Sequence, residues 1–427
     1  MRIRDFHRNI KIRMAVYLAF GTAQFTTFPF MAVYFDHYFG MGVTGMLLAI
    51  SMIASLFSGA VGGFYADRVG RKRLMVLSEA IFLISYLAMA AGNSPWLESP
   101  LLTFIAFLVN NVCWGMYGPA DEAMLLDVTT SENRPMMYAI FYWLTNLTIA
   151  VGASIGALFF EAYRFQLFAI MSIVVLGSLL VTIFFIKETH HPAPNSHDTS
   201  QHFIWAMAHN YLAILKDKTF MYYFLAGTLV MSVEFQLTNG IAIHLANTVK
   251  RQVLLVISGH SFIVDGVKML GFLQTENTVL VVLLAALAAR WIKRFPEKWV
   301  LFFAITLNVT GYSVMTFNNM PMVLFIVMLL ATIGEVAGVP VRQAYLGDIT
   351  PDHARSSYVA VNGMAFGLSR VLSSGGVALS ALVPAWGMGV VSFGVGMLGL
   401  FFYFAVIPEV HARRRLTVHS EAEQLTT

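Results

Sequence analysis

The chain has 427 residues, of which 58% are hydrophobic and only 12% are charged. Soluble domains carry about 25% charged residues, so this composition excludes an ordinary soluble enzyme. The net charge of +4 does not indicate nucleic-acid binding either, because the basic residues sit in short loops beside apolar runs and not on one soluble face.

Apolar runs long enough to cross a bilayer follow one another along almost the whole chain. A spanning helix needs roughly 20 consecutive apolar residues. We count about twelve such runs, at 14–36, 43–66, 74–92, 101–127, 136–160, 165–187, 219–245, 272–292, 299–317, 321–347, 356–382 and 385–407. The sequence therefore predicts an all-α membrane protein with twelve transmembrane helices.

The distribution of Lys and Arg predicts how these helices are oriented, since cytoplasmic loops carry an excess of both. If the N-terminus is inside, the basic residues up to Arg13 and the basic loops around Arg71, Lys187 and Arg355 are cytoplasmic. An even number of spans then returns Arg413 to the same side. We expect a multi-pass protein of a bacterial cell membrane with both termini in the cytoplasm.

The chain divides into six runs plus six. The longest polar stretch, 187–202, lies between the sixth and seventh runs, and segments 119–134 and 340–355 match at a constant offset of 221 residues (340 − 119). Transporters built from parallel repeats show such a duplication, with the substrate site between two pseudosymmetric halves. The predicted units are an N-terminal six-helix half at 1–187, a cytoplasmic linker at 188–217, a C-terminal six-helix half at 218–410 and a cytoplasmic tail at 411–427.

The stretch GGFYADRVGRKRLM (62–75) places one acid and four bases between the second and third runs. A basic cytoplasmic loop explains the bases, but it does not explain Asp67 or the glycines Gly63 and Gly70. Glycine permits a tight turn. This stretch resembles the signature loop between helices two and three of the major facilitator superfamily, and the resemblance covers the whole chain.

The resemblance implies a latch that holds the two halves in the outward-facing state. Asp67 belongs to this latch, and Arg71 is expected to pair with an acid at the end of helix four, Asp127. In the second copy of the motif, Ala288 stands where Asp67 would fall. The other positions that we group with the latch are Gly63, Arg68, Gly70, Lys72, Arg342 and Asp348.

Two segments are similar to drug:proton antiporters, in particular to LmrP-type multidrug transporters. They are 124–157, in helices four and five, and 332–350, in helix ten. The sequence departs from that group at Phe141, where an acid is expected, and at Glu234, which lies one turn before the expected position near Thr238.

Two carboxylates lie in the middle of apolar runs, Glu335 in the tenth run and Glu234 in the seventh. A charge at the bilayer centre costs at least about 2.5–3.5 kcal/mol on insertion scales, so such residues are expected to be functional. Each can bind and release a proton or pair with a cationic substrate. The alternative is a protonated, hydrogen-bonded packing residue.

Other polar residues are further candidates for the pathway. Asp121 and Glu122 are neighbours on helix four and point in different directions, so at most one is expected to face the cavity. Asp121 and Arg342 are 221 residues apart and either form a cytoplasmic gate ion pair or snorkel separately. Arg370, in the eleventh run, either adjusts a neighbouring acid, recognises an anionic headgroup or binds backbone carbonyls. Candidates for lining a drug cavity in helix five are Tyr142, Trp143 and Asn146.

The segment 252–278 alternates partly between apolar and polar residues and is predicted to form a short outer hairpin over the cavity mouth. The histidines between 190 and 209 have no regular metal-ligand spacing, which favours a solvated linker over a metal site.

The sequence favours a proton-coupled secondary transporter that exports lipophilic, often cationic compounds by alternating access. The alternative with the same fold is a flippase for a lipid or glycolipid. No GxxxxGK[ST] loop indicates ATP-driven transport. No nucleophile–base set or metal cluster indicates a membrane enzyme, and the latch disfavours a passive channel. We expect a monomer that uses protons, lipophilic small molecules or lipids and the bilayer, without a cofactor, a metal or a nucleic acid.

Overall fold

The computed structural model describes residues 6–130, 133–189, 214–257, 260–291, 294–351 and 355–426. The described part of the chain is almost entirely helical, and its helices are α1 Arg8–Thr27, α2 Met31–Val69, α3 Arg71–Gly92, α4 Pro100–Asp127, α5 Arg134–Phe159, α6 Arg164–Phe185, α7 Lys218–Glu234, α8 Gly240–Thr248, α9 Gly266–Trp291, α10 Glu297–Met315, α11 Pro321–Ile349, α12 Arg355–Ser380 and α13 Ala385–Thr426. The strands are β1 Asn93–Ser94, β2 Leu97–Glu98, β3 Gln252–Ile257 and β4 His260–Val264.

Ten helical stretches of the described residues are long and apolar enough to cross a membrane. The first of them, Arg8–Val69, covers two predicted runs and is interrupted at Gly40, whose φ of 74° and ψ of 163° are not helical. The stretch Arg355–Ser380, the predicted eleventh helix, is not among the ten. The chain is therefore a multi-pass helical membrane protein.

The predicted seventh helix, 219–245, is broken in the structure. The α-helix α7 ends at Glu234, a 3-10 turn covers Phe235–Thr238, and Asn239 has a φ of −121° and a ψ of −101° before α8 begins at Gly240. The Gln236 side chain supports the break, because its Oε1 accepts from the Gly240 amide at 3.3 Å and its Nε2 donates to the Ser373 carbonyl at 3.2 Å.

The predicted outer hairpin is present but shorter than expected. Strands β3 and β4 pair antiparallel, with Gln252 opposite Val264. The second part of the predicted segment is helical instead, because Asp265 starts α9: its Oδ1 accepts from the Lys268 amide at 2.9 Å. Carboxylates at this position satisfy amides that have no partner within the helix.

The helices pack as two groups, α1–α6 and α7–α13. In the first group α4 packs on α2 and α3, α6 packs on α3, and α1 packs on α5 and α6. In the second group α11 packs on α9 and α10, while α13 packs on α7 and α10. The groups meet where α2 contacts α12 and where α5 contacts α9.

Two ends of the bundle serve as reference points. We call the end that holds Asp67, Arg71 and Asp127 the Arg71 end, and the opposite end, where α2 bends at Gly40, the Gly40 end. At the Gly40 end the Asn247 side chain of α8 donates to Asp36 Oδ2 at 2.9 Å, which joins the two groups.

Candidate functional site

The central carboxylate of the second group is Glu335, on α11. Its Oε2 accepts from Asn277 Nδ2, on α9, at 2.9 Å, and the same amide lies 3.0 Å from Thr332 Oγ1. This neutral amide holds Glu335 toward the space between α9 and α11. The aromatic residues within its electrostatic reach are Tyr142 of α5 and Tyr312 of α10.

Glu234, at the end of α7, belongs to the same site. It lies within electrostatic reach of Glu335 and Arg342 and beside Asn308. Its Oε1 is buried and has no hydrogen-bond partner. We call Glu234, Glu335 and Arg342 the carboxylate pair site. Two carboxylates and one guanidinium leave one negative charge when all are ionised, and burial disfavours that state. The site can therefore accept one proton or one cationic group.

Arg342 is held by the second group. The hydroxyl of Tyr223 donates to the Arg342 carbonyl at 2.8 Å, and the guanidinium lies close to Tyr403 as well as to Glu234. Asp121 is engaged elsewhere, by Arg13. The predicted Asp121–Arg342 ion pair is therefore not formed in this conformation.

A second buried charge network lies in the first group, and the sequence reasoning missed it. Arg13 was predicted to be a cytoplasmic loop residue, but only 1% of it is exposed. Its Nε lies 2.7 Å from Asp121 Oδ1 and its Nη1 lies 3.6 Å from Glu79 Oε1. Glu79 Oε1 also accepts from the hydroxyl of Tyr117 at 3.1 Å.

Two hydroxyls of α6 complete this network, Ser178 and Thr182, which donate to Glu79 Oε1 at 3.2 and 3.1 Å. The neighbour of Asp121 points elsewhere, as expected for adjacent helix positions: Glu122 is exposed and accepts from the Tyr138 hydroxyl at 3.2 Å. Glu79 and Glu276 were missed although both lie inside apolar runs, which is the signal that identified Glu335.

The loop between α2 and α3 forms the contact expected of it. Gly70 has a φ of 105°, which favours glycine, and α3 starts immediately after it. Arg71 pairs with Asp67 four residues before it, and its Nε lies 3.5 Å from Asp127 Oδ2. The turn is thereby attached to the end of α4.

The same loop contacts the segment that follows α6. The Lys72 amide donates to Glu188 at 3.1 Å, and the Lys72 Nζ donates to the Ile183 carbonyl at 2.6 Å. Arg68 lies over the ring of Phe64, 4.1 Å from its centroid, and Gly63 is in ordinary contact distance of Pro119.

The remaining predicted residues are placed as follows. In helix α5, Tyr142 and Trp143 are exposed, by 59% and 52%, whereas Asn146 is buried and donates to the Tyr142 carbonyl at 2.8 Å. Arg370, on α12, lies over the ring of Phe28. Asp348 is near the end of α11. Lys293 and the histidines at 190–209 lie outside the described residues. Among the described residues, no cluster of three or more His, Cys, Asp or Glu side chains is arranged to hold a metal ion.

Comparison with protein families decides the identity of the fold. The family model described as Major Facilitator Superfamily matches residues 14–264 and 266–424. The chain belongs to the major facilitator superfamily. Members of this family are membrane transporters, so this protein is not an enzyme, and it resides in the plasma membrane as a multi-pass protein.

Two curated relatives carry transport names. The chain is 32% identical over 392 residues to a "Na(+), Li(+), K(+)/H(+) antiporter" of Planococcus maritimus, covering 90% of this chain and 92% of the relative. It is 22% identical over 366 residues to "Multidrug resistance protein MdtH" of Proteus mirabilis, covering 82% of each. Both relatives extend over most of the fold.

Solved structures support the fold. A POT family transporter in complex with 5-aminolevulinic acid superimposes with a TM-score of 0.73 at 13% identity, covering 96% of this chain and 100% of the other. At this identity the likeness concerns the arrangement of the helices. The sequence prediction of this superfamily is confirmed, and the closer LmrP-type assignment stays a prediction.

Proposed function

We propose that this transporter is a proton-coupled antiporter that exports lipophilic cationic compounds, with twelve transmembrane helices in two six-helix halves and both termini in the cytoplasm. The observation that carries the proposal is the carboxylate pair site. Glu234 and Glu335 share one guanidinium, Arg342, so that one positive charge is lacking when both are ionised. A proton and a cationic substrate compete for this charge, and competition for one site is the simplest basis of exchange.

Alternating access gives this competition a direction. When the site is exposed to the acidic outside, the carboxylate pair takes up a proton and releases the cation. When it is exposed to the cytoplasm, the proton leaves and the next cation binds. The exposed aromatic rings of Tyr142 and Trp143 supply the apolar contact that a lipophilic cation needs, since such rings attract cations through their faces.

A second candidate cargo is an alkali cation. It is supported by the name of the relative from Planococcus maritimus. The same carboxylates, with the oxygens of Asn277 and Thr332, are the hard ligands that such ions prefer. A lipid flippase remains the alternative of the sequence analysis, and no contact of the carboxylate pair site favours it.

The test is transport in proteoliposomes with an imposed pH gradient. We expect the parent protein to exchange protons for ethidium, and Glu335→Gln to reduce gradient-driven ethidium transport at least about tenfold, because the amide cannot carry a proton. Glu234→Gln should reduce it less, since Glu335 keeps its own contact with Asn277. The matched control is Glu161→Gln, an exposed carboxylate beyond the end of α5.

Two further measurements separate the candidates. Na⁺-driven or Li⁺-driven proton movement without ethidium transport would replace the organic cation with the alkali cation. Scrambling of fluorescent phospholipid without dependence on pH would favour the flippase. If Glu335→Gln pumps ethidium as well as the parent, Glu335 does not carry the proton and the packing interpretation holds.

A further inference from the structure

Arg370 is a buried cation without a counter-ion. It lies in the middle of α12, and its guanidinium carbon is 4.7 Å from the ring centroid of Phe28 and 6.0 Å from that of Phe366. No described residue forms a hydrogen bond or an ion pair with it. The two rings attract the charge weakly and leave all five N–H donors of the guanidinium unused.

The guanidinium lines a cavity between the two helix groups. The apolar wall of this cavity includes Phe28, Leu48, Phe107 and Phe235, and the empty space measures about 310 Å³, part of which is open to the surroundings. A compact polar group fits into the enclosed part, while an apolar body can extend along the wall. A cavity with one charged group and an apolar wall is typical of a small-molecule site.

The break between α7 and α8 supplies two neutral groups to the same cavity, Thr238 and Asn239. Asn239 Nδ2 donates one hydrogen to Ser373 Oγ at 2.9 Å, which fixes the amide beside α12 and leaves its second hydrogen available. Non-helical backbone at membrane depth is tolerated where it lines a cavity. In transporters such broken helices often bind the substrate.

We propose that this cavity binds the carboxylate of an amphiphilic molecule, an organic anion or a zwitterion with an aromatic body, with Arg370 as its counter-ion. The guanidinium fork matches a carboxylate in shape and can donate two parallel hydrogen bonds to it. One positive charge balances one carboxylate, whereas a phosphate dianion would require a second cation, and Arg370 is the only charged residue that lines this cavity among the described residues.

This inference extends the proposed function, since it adds zwitterions to the cations that the carboxylate pair site accepts. The two sites use different residues, because Arg370 lies on α12 and Glu335 on α11. Binding to Arg370 is measured at equilibrium, without a pH gradient. Failure of coupled transport therefore leaves the binding result intact, and failure of binding leaves the transport result intact.

The experiment compares 1-naphthoate with the uncharged 1-naphthamide, which has the same rings. Each is titrated by calorimetry into the full-length protein in nanodiscs of phosphatidylcholine. We expect 1-naphthoate to bind at least about tenfold more tightly, because charge-assisted hydrogen bonds replace neutral ones. Equal affinities for the parent protein would overturn the proposal, and this comparison requires no variant to fold.

Variants locate the binding. Arg370→Gln should abolish the preference for the carboxylate, whereas Arg370→Lys should keep part of it, because the ammonium retains the charge and loses the fork. The matched control is Arg164→Gln. Arg164 also lies over a ring, that of Tyr34 at 5.5 Å, but does not line the cavity. A preference that survives in Arg370→Gln would overturn the proposal.

A third arm separates a carboxylate from a lipid phosphate. The titrations are repeated in nanodiscs that contain phosphatidylglycerol. Unchanged 1-naphthoate affinity supports a site for soluble carboxylates. If phosphatidylglycerol abolishes 1-naphthoate binding to the parent protein, the occupant is a lipid headgroup and the proposal is wrong.

Discussion

Arg13 shows at the scale of single residues how this fold keeps charges inside a bilayer. Its guanidinium contacts Asp121 directly and Glu79 more loosely, at 2.7 and 3.6 Å. Glu79 Oε1 accepts all three nearby hydroxyls, while its Oε2 is buried without a partner. The network therefore depends on Arg13 to compensate two acids at once.

We predict that Arg13→Met lowers the free energy of unfolding by about 3–5 kcal/mol, because removal of one partner from a buried ion pair leaves an uncompensated charge. Adding Glu79→Gln to this variant should restore part of the stability, since the amide carries no charge. Thermal unfolding in detergent of the parent, both single variants and the double variant measures this coupling. Strictly additive effects would mean that Arg13 and Glu79 do not interact.

Sequence reasoning identified some of these buried charges and missed others for a physical reason. Glu335 and Glu234 were identified because an acid in an apolar run is costly wherever it points. Arg13 was assigned to a loop because it directly precedes the first apolar run, 14–36. Its partner Glu79 is 66 residues away (79 − 13), and no local pattern connects them.

The elements were predictable to the extent that their breaks have a local chemical signal. The turn at Gly70 was expected, because glycine and flanking charges mark it, and the structure places α3 directly after it. The break after Glu234 was not expected, because Phe235–Thr238 continues the apolar run. Its cause is a contact with another helix, since Gln236 donates to the Ser373 carbonyl at 3.2 Å.

The turn between α2 and α3 supports a prediction about the latch. Asp67→Asn removes the charge that faces Arg71, but Arg71 keeps Asp127 at 3.5 Å. Because 62% of the Asp67 side chain is exposed, we expect a stability change below about 1 kcal/mol. Transport should nevertheless fall several-fold if the acid belongs to a conformational latch.

Vesicle transport and a detergent melting curve of the same preparation measure both effects. Arg73→Gln is the matched control, since Arg73 is an exposed base of the same loop with no place in the latch. If the loop acts only as a basic anchor at the membrane surface, Arg73→Gln should impair the protein at least as much as Asp67→Asn.

At the scale of the whole molecule, the contacts between the two helix groups lie toward the Gly40 end. The α2–α12 contact includes Gly45 and Ala378, where a Cβ on the glycine would collide with backbone. Gly45 and Asp67 are 22 residues apart (67 − 45), about 33 Å along a helix. The α5–α9 contact lies on the same side, at Gly271. This arrangement is typical of one end state of alternating access, closed at the Gly40 end.

The last prediction tests whether this closure must open during transport. Ser154 Oγ of α5 and Thr275 Oγ1 of α9 lie 2.7 Å apart, so cysteines at both positions can approach the sulfur–sulfur bond length of about 2.05 Å. In the variant Ser154→Cys with Thr275→Cys, oxidation should therefore join the two groups at the Gly40 end. We expect the oxidised protein to lose exchange transport and to recover it after reduction. The single variants under the same oxidant are the controls, and the native Cys113 is buried. An oxidised pair, verified by mass, that transports at the parent rate would show that α5 and α9 stay together throughout the cycle.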